Sequence, residues 1–367
     1  MAEDHLLVCT ERTPVTRDMA TFTFRAVEPR TFVFNPGQFL TIGLDIDDRR
    51  VERCYSISSS PTRPDTLSIS VKRVAGGHVS NWLHDNMEPG MTVTASGPLG
   101  RFSYRSRPAD KYLFISAGSG ITPVMSMIRA ATDTARSDAA SGHDVIRAAT
   151  DTARSDAADA GPDIVFIHSA RTFDDIPFRA ELEQIAVNHP NVTVAFACTR
   201  LDAAGEPTMF GGHRGRIDSD MLSRWCPDLA DREVFLCGPG QFRSRVRTAL
   251  VAAGGSLARI HEESYGLKLP PPDAEPGGGE GTLTVDFTRR ARRVNVGEGI
   301  TILAAAAAAG VTLPSTCGVG LCGACKVTKT SGEVVMNHQG GIRPREIAQG
   351  KILLCCSEPL TPVVIDF

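Results

Sequence analysis

The sequence predicts a multidomain fold: an antiparallel β-barrel, then a doubly wound α/β domain, then a small C-terminal module rich in strands. Three features carry that expectation. Short alternating strands broken by turn residues run to about residue 107, and from Lys111 apolar strands alternate with helical stretches; "KLPPPDAEPGGGEG" at 268–281 then interrupts the chain with a run of three prolines and, further on, a run of three glycines. A chain of 367 residues has room for two or three separate cores. The expected boundaries are 1–107, 108–267, a linker at 268–281, and 282–367.

In the first segment "TFTFRAV", "FLTIGLDI", "TLSISVKRV" and "MTVTASG" alternate apolar and polar residues at the spacing of an antiparallel barrel. In the second, "KYLFISAG", "DIVFIHSA", "NVTVAFACT" and "EVFLCGP" read as buried strands, and "FRAELEQIAV" and "FRSRVRTALVAAG" as helices between them. This is the βαβ rhythm of a parallel sheet. The string "IRAATDTARSDAA" occurs at 128–140 and again at 146–158, an offset of 18 residues. Eighteen residues make about five helical turns, so the copy can extend a helix without rotating its apolar face. The intervening "SGHD" argues against one unbroken helix, and the expectation is a surface extension without a function of its own. After the linker, "GTLTVDFTRRARRVNVGEGITILAAAAAAGVTLPST" reads as a strand pair, an alanine-rich helix and a loop.

A net charge of −3 with mixed signs gives no basic patch for nucleic acid and no polybasic tail for a membrane surface. The opening "MAEDHLLVCTERT" lacks a signal-peptide core, and the longest nearly apolar run, Ile300 to Leu313, is too short to span a bilayer. A cytoplasmic protein acting on small molecules or proteins is expected. The ten cysteines, spread over so long a chain, point to metal or redox use rather than a disulfide scaffold.

Four of them cluster. Cys317-x4-Cys322-x2-Cys325, with Cys355 following after 29 further residues, has the plant-type spacing for a 2Fe–2S cluster held by four thiolates. Gly318, Gly320 and Gly323 let the backbone curl round such a cluster and aim N–H groups at its sulfurs. A zinc site would favour paired Cys-x2-Cys knuckles, and only one such pair is present. On spacing alone either Cys355 or Cys356 serves as the fourth ligand. No Cys-x-His pair occurs, which excludes a Rieske centre and places the potential low, within reach of a flavin.

Two further sites are legible upstream. Arg53, Tyr55 and Ser56 end a strand, offering a cation for a phosphate, an aromatic face for an isoalloxazine and a hydroxyl for its polar edge. Gly77 and Ser80 then precede a helical stretch, where N–H groups and a hydroxyl can meet a diphosphate. Gly118, Gly120, Thr122 and Pro123 follow the strand "YLFIS" and open a helix, the position at which a nucleotide pyrophosphate docks. Cys237, Gly238 and Pro239 end the strand "EVFL" at the carboxyl edge of the sheet, although a cysteine there also fits as a small buried hydrophobe.

In this order the motifs resemble ferredoxin–NADP reductase-like flavoproteins carrying a C-terminal plant-type ferredoxin domain of β-grasp fold. The likeness covers nearly the whole chain and is nearest to reductases serving hybrid-cluster proteins and Rieske-type oxygenases, among them those that demethylate quaternary amines. The resemblance implies that Arg53, Tyr55 and Ser56 bind the flavin, and that Gly77 and Ser80 bind its phosphates. It implies that Gly118, Gly120, Thr122 and Pro123 hold the nicotinamide nucleotide, and that Cys237, Gly238 and Pro239 face the nicotinamide. It also puts Glu263 beside the hydride-transfer site and Tyr265 near the aromatic position covering the flavin. For the cluster it selects Cys317, Cys322, Cys325 and Cys355, because the family's fourth ligand precedes a proline by four positions, as Cys355 precedes Pro359.

The implied activity is an electron-splitting chain, from NAD(P)H through flavin and cluster to a protein acceptor. That acceptor is an oxygenase component or a hybrid-cluster protein. FAD is favoured over FMN, which related oxygenase reductases of this domain order use. Ser169 and Arg171 suit a 2′-phosphate whereas Asp174 and Asp175 repel one, so NADH is favoured over NADPH. A redox carrier or sensor that binds nucleotide without turning it over is the rival reading.

Overall fold

The computed structural model describes residues 4–140, 161–200, 212–263, 283–297, 299–311, 313–315, 318, 320, 323–338 and 340–367. The chain forms two compact units, 1–264 and 265–367.

The first unit holds two sheets. Strands β1 (Asp4–Thr16), β2 (Met19–Ala26), β3 (Phe39–Ile46), β4 (Arg49–Ser56), β5 (Leu67–Lys72) and β6 (Thr92–Leu99) pair antiparallel in the order β4-β3-β6-β1-β2-β5. Ile57, just past β4, bridges Ile69 of β5, so the two outer strands meet and the sheet curls into a barrel. Its interior is filled by the inward residues of the alternating strands, including Phe22, Phe24, Leu40, Ile42 and Ile69. Helix α1 (His78–Asn86) packs Val79 and Leu83 onto that core.

Strands β7 (Lys111–Ala117), β8 (Asp163–Ala170), β9 (Val192–Cys198), β10 (Gly212–Arg214), β11 (Glu233–Cys237) and β12 (Ile260–Glu263) are all parallel, in the order β10-β9-β8-β7-β11-β12. Helices α2 (Ile121–Ala140) and α3 (Arg179–Asn188) contribute Ile121, Met125, Ile128 and Leu182 to the core on one face; α4 (Ser219–Trp225) and α5 (Gly240–Ala252) contribute Met221, Leu222, Val246 and Leu250 on the other. Because both faces are covered, the strands are apolar runs without alternation, as "YLFIS" and "VFIH" show. The chain leaves β7 toward β8, β9 and β10 and then returns to β11 on the other side of β7. The topological switch therefore lies between β7 and β11, where such sheets bind ligands at their carboxyl ends.

The first copy of the repeated string lies in α2 and is structural. Arg129 pairs with Glu181 through two contacts of 2.6 Å and donates to the Ser58 carbonyl, also at 2.6 Å, while Asp133 accepts from the Thr62 hydroxyl at 2.7 Å. The Ser58 and Thr62 bonds tie α2 to the barrel, and the Glu181 pair ties it to α3. The second copy lies outside the described residues, as do the linker at 268–281 and Tyr265.

In the second unit, β13 (Leu283–Phe287), β14 (Arg292–Val296), β15 (Lys326–Ser331), β17 (Lys351–Leu353) and β19 (Val363–Asp366) form a mixed sheet, with β13 and β19 parallel; β16 (Val334–Met336) and β18 (Ser357–Pro359) pair separately. Helix α6 (Ile302–Ala308), capped by the Thr301 hydroxyl accepting from the Ala304 N–H, packs Ile302, Leu303 and Ala306 on the sheet. The short helix α7 (Pro344–Ala348) precedes β17.

Candidate active site and cluster loop

On the barrel, β4 is paired on one side by β3, with Tyr55 opposite Leu40 and Arg53 opposite Ile42. Tyr55 packs against the barrel core, and burial pushes its phenol pKa up, so the ring is a neutral aromatic surface. Arg53 is exposed and donates to the Glu52 carbonyl at 2.7 Å; Ser56 is buried. Gly77 caps α1, and a β-carbon there would lie 2.5 Å from the Ser80 hydroxyl. That hydroxyl accepts from the Val74 N–H at 3.2 Å and donates to the Gly77 carbonyl at 3.5 Å. Ser80 thus braces its own turn, beside the first N–H groups of α1, which have no partner within the helix and are open to a phosphate.

In the α/β domain, Gly118 takes a left-handed conformation at φ +55° and starts the turn into α2. A β-carbon on Gly120 would overlap the Cys237 carbonyl, so the glycine lets the β7–α2 turn touch the end of β11 at the topological switch. The two motifs are thereby one structure. Thr122 donates to the Ser119 carbonyl at 3.0 Å, with Pro123 buried beside it. Arg243 bonds the Gly238 carbonyl at 3.1 Å and Glu262 at 2.8 Å, fixing the turn after Cys237.

The strand register adds what the sequence does not display. Cys237 stands opposite Glu263 on one side and Ser116 on the other, and Ser116 stands opposite His168. These four buried residues form one row across the carboxyl ends of β12, β11, β7 and β8. Ser116 Oγ and His168 Nδ1 are 2.8 Å apart. Asp175, expected to repel a 2′-phosphate, pairs through Oδ1 with the largely exposed Arg17 of the β1–β2 turn at 3.2 Å; Asp174 is exposed. A cavity of about 710 Å³ lies elsewhere, lined by Thr21, Ser68, Arg63 and Arg129, and holds none of the motif residues.

Burial, reinforced by the Lys72 charge, pulls the His168 pKa down to about 3. An unfolded histidine takes its proton below about pH 6.5, while the folded one stays neutral, so the unfolded state binds more protons in that interval. Stability therefore falls as pH drops from about 6.5 toward 3, by at most about 1.4 kcal/mol per pH unit from this group. His168→Gln is expected to flatten that slope in urea unfolding at pH 7, 6 and 5. Equal slopes in both proteins would contradict the assignment.

In the second unit Cys325 ends the cluster loop and Cys355 follows β17; both are buried. The Leu354 N–H donates to the Cys325 carbonyl at 3.2 Å, which joins the two segments. The Gly320 N–H points at Cys355 Sγ, 3.1 Å away, the kind of contact that orients and tunes a thiolate ligand. Gly320 has φ +73°, and a β-carbon on it would lie 2.5 Å from Cys356 Sγ. Cys356 itself turns toward the Leu353 carbonyl at 3.6 Å. Cys317 and Cys322 lie outside the described residues. Cys355→Ser is expected to remove most of the cluster absorbance and iron content, and Cys356→Ser to leave both near wild type; the reverse pattern would move the ligand to Cys356.

Three family models match in sequence: an oxidoreductase FAD-binding domain over 7–104, an oxidoreductase NAD-binding domain over 114–248 and a 2Fe–2S iron–sulfur cluster binding domain over 285–360. The glycine betaine monooxygenase reductase subunit of Pseudomonas aeruginosa is 41% identical over 99% of this chain and 95% of its own length. The chain belongs to the oxygenase reductase family. The stachydrine N-demethylase reductase subunit of Rhizobium meliloti, at 37% identity over 98% of this chain and 96% of its own, is a further member. Phthalate dioxygenase reductase shares the fold over 99% of this chain and 97% of that one, with a TM-score of 0.58 at 22% identity.

As an oxygenase reductase, the protein is an electron-transfer oxidoreductase that uses FAD, NADH and a 2Fe–2S cluster and delivers electrons to an oxygenase partner. The chain suits these groups: Gly120 lets the β7–α2 turn close onto the end of β11 at the topological switch, and Gly320 offers its N–H to a cysteine sulfur. Ser116, His168 and Arg243 were not singled out from sequence. "FISAG" and "FIHSA" show Ser116 and His168 only as polar residues at strand ends, their alignment exists only in the register, and Arg243 reads as one of several arginines in a helix.

Proposed function

We propose that this reductase feeds a Rieske-type oxygenase that demethylates a quaternary amine of the glycine betaine or stachydrine type. The observation that carries this is the full-length identity to two reductase subunits of that chemistry, 41% and 37%. Both relatives serve an oxygenase or demethylase, which favours that partner over a hybrid-cluster protein. The cytoplasm, where NADH is held, is the proposed site of action; no described helix is long and apolar enough to cross a membrane.

We assign Arg53, Tyr55 and Ser56 to the flavin and the first turn of α1, which Gly77 caps and which contains Ser80, to its phosphates. Gly118, Gly120, Thr122 and Pro123 receive the dinucleotide, and Cys237, Gly238 and Pro239, with Glu263, line the nicotinamide end. Tyr265 is assigned to cover the flavin on the family resemblance. Cys317, Cys322, Cys325 and Cys355 hold the cluster, the Gly320 contact supporting Cys355. Bound FAD and cluster supply the conversion of a two-electron hydride into single electrons. The chain's residues supply placement: Arg53 meets phosphate charge, Tyr55 presents a neutral aromatic face, and the crevice between β7 and β11 sets where NADH lies.

The test is reconstitution with the oxygenase partner of the Pseudomonas aeruginosa relative, given glycine betaine and then stachydrine. Formaldehyde is expected in proportion to NADH consumed, because oxidative N-demethylation releases the methyl group in that form. NADH consumption with no formaldehyde from either amine would contradict the proposal.

A further inference from the structure

On the assignment of Cys237 and Glu263 to the nicotinamide strip, the polar row at the strand ends continues past them. One layer deeper, the same face of the sheet is aromatic. Phe235, Phe114 and Phe166 stand two residues before Cys237, Ser116 and His168, each at most 1% exposed. Apolar side chains would fill the upper layer equally well, and replacing a buried hydrogen-bonded pair by apolar groups is often neutral or stabilising. Instead the row carries a hydroxyl and an imidazole, both 0% exposed. His168 Nδ1 is engaged with Ser116, while Nε2 is buried without a hydrogen-bond partner among the described residues. Such an atom gives up its hydrogen bond to water on folding and gains none in return. Structures that keep that kind of cost at a ligand crevice do so where function requires it.

We propose that Ser116 and His168 are positioning residues for hydride transfer. His168 fixes the Ser116 hydroxyl beside Cys237, at the switch between β7 and β11, so that the nicotinamide ring is oriented from the β7 side as well as from the Cys237–Glu263 side. Neither residue exchanges a proton with substrate. The pair acts by geometry.

The test compares holoprotein carrying Ser116→Ala with His168→Leu against wild type. The thermal midpoint is expected to be held or raised, and NAD+ affinity by calorimetry to stay within about two-fold. The change that saturating NAD+ produces in the flavin absorption spectrum should shrink, and the limiting rate of flavin reduction by NADH should fall about ten-fold, the equivalent of about 1.4 kcal/mol. A wild-type spectral change and rate, with only the midpoint moved, would show a structural pair and overturn the proposal. If the double variant does not fold, Ser116→Ala alone, which removes a single oxygen, is judged by the same two readouts. Cys237→Ala separates the two levels. Slowed reduction there beside wild-type behaviour in the pair sinks only the positioning role, whereas wild-type behaviour in both sinks the nicotinamide-strip assignment as well.

Discussion

Replacing Cys322 by serine is expected to leave NADH oxidation with a small dye intact while cytochrome c reduction falls on the order of 100-fold, since losing a ligand costs at least as much as losing an outer partner of one. The reason lies in the division of labour along the chain. The residues assigned to FAD and NADH, Tyr265 apart, sit in the unit spanning 1–264, and the cluster cysteines sit in the unit spanning 265–367. A dye can take electrons from the flavin directly, whereas a protein acceptor draws on the cluster. Equal loss with both acceptors would mean that the cluster thiolates support the flavin unit itself. Equal retention would mean that electrons reach protein acceptors without passing the cluster.

Gly120→Val is the second large effect. A β-carbon at this position overlaps the carbonyl of Cys237 and comes within 2.8 Å of the Gly238 nitrogen. These are backbone atoms at the end of a central parallel strand, which cannot swing aside as a long side chain would. The β7–α2 turn must move, and with it the floor of the dinucleotide crevice. A displacement of about 1 Å in a positioning element costs about 10²-fold, so kcat/KM for NADH is expected to fall by about that factor. Flavin content should be unchanged, because the barrel residues assigned to FAD lie outside this turn. Normal kcat/KM for NADH would show that Gly120 is only a packing glycine.

Much of this was legible in the sequence because the chemistry is written in short strings. "YLFIS" followed by Gly-Ser-Gly placed a buried strand and its turn, and the cysteine spacing named a cluster without any geometry. Strand β1 escaped notice. "DHLLVCTERTPVT" carries Pro14 and mostly exposed residues after Cys9, and its pairing with β2 shifts register twice, so no clean alternation survives. The short strand "IHEE" is polar and was read only for Glu263. The bond from the Val74 N–H to the Ser80 hydroxyl is likewise absent from any one-dimensional pattern, since it depends on how the turn before α1 folds. The pairing of Asp175 with Arg17 is invisible in the sequence because the two are more than 150 residues apart in the chain. The row of Glu263, Cys237, Ser116 and His168 needed the register of four strands. Local motifs survive reading from one dimension, while side-chain partners across strands and domains do not.

The central claim is a single ordered path from NADH through flavin to cluster within one chain. An anaerobic visible-spectrum titration of the holoprotein with NADH tests it most directly. Bleaching of the flavin absorption, followed by reduction of a separate iron–sulfur absorption, is the predicted result, and NADPH at the same concentration should act less efficiently. A cluster spectrum with a flavin that neither nucleotide bleaches would contradict the account.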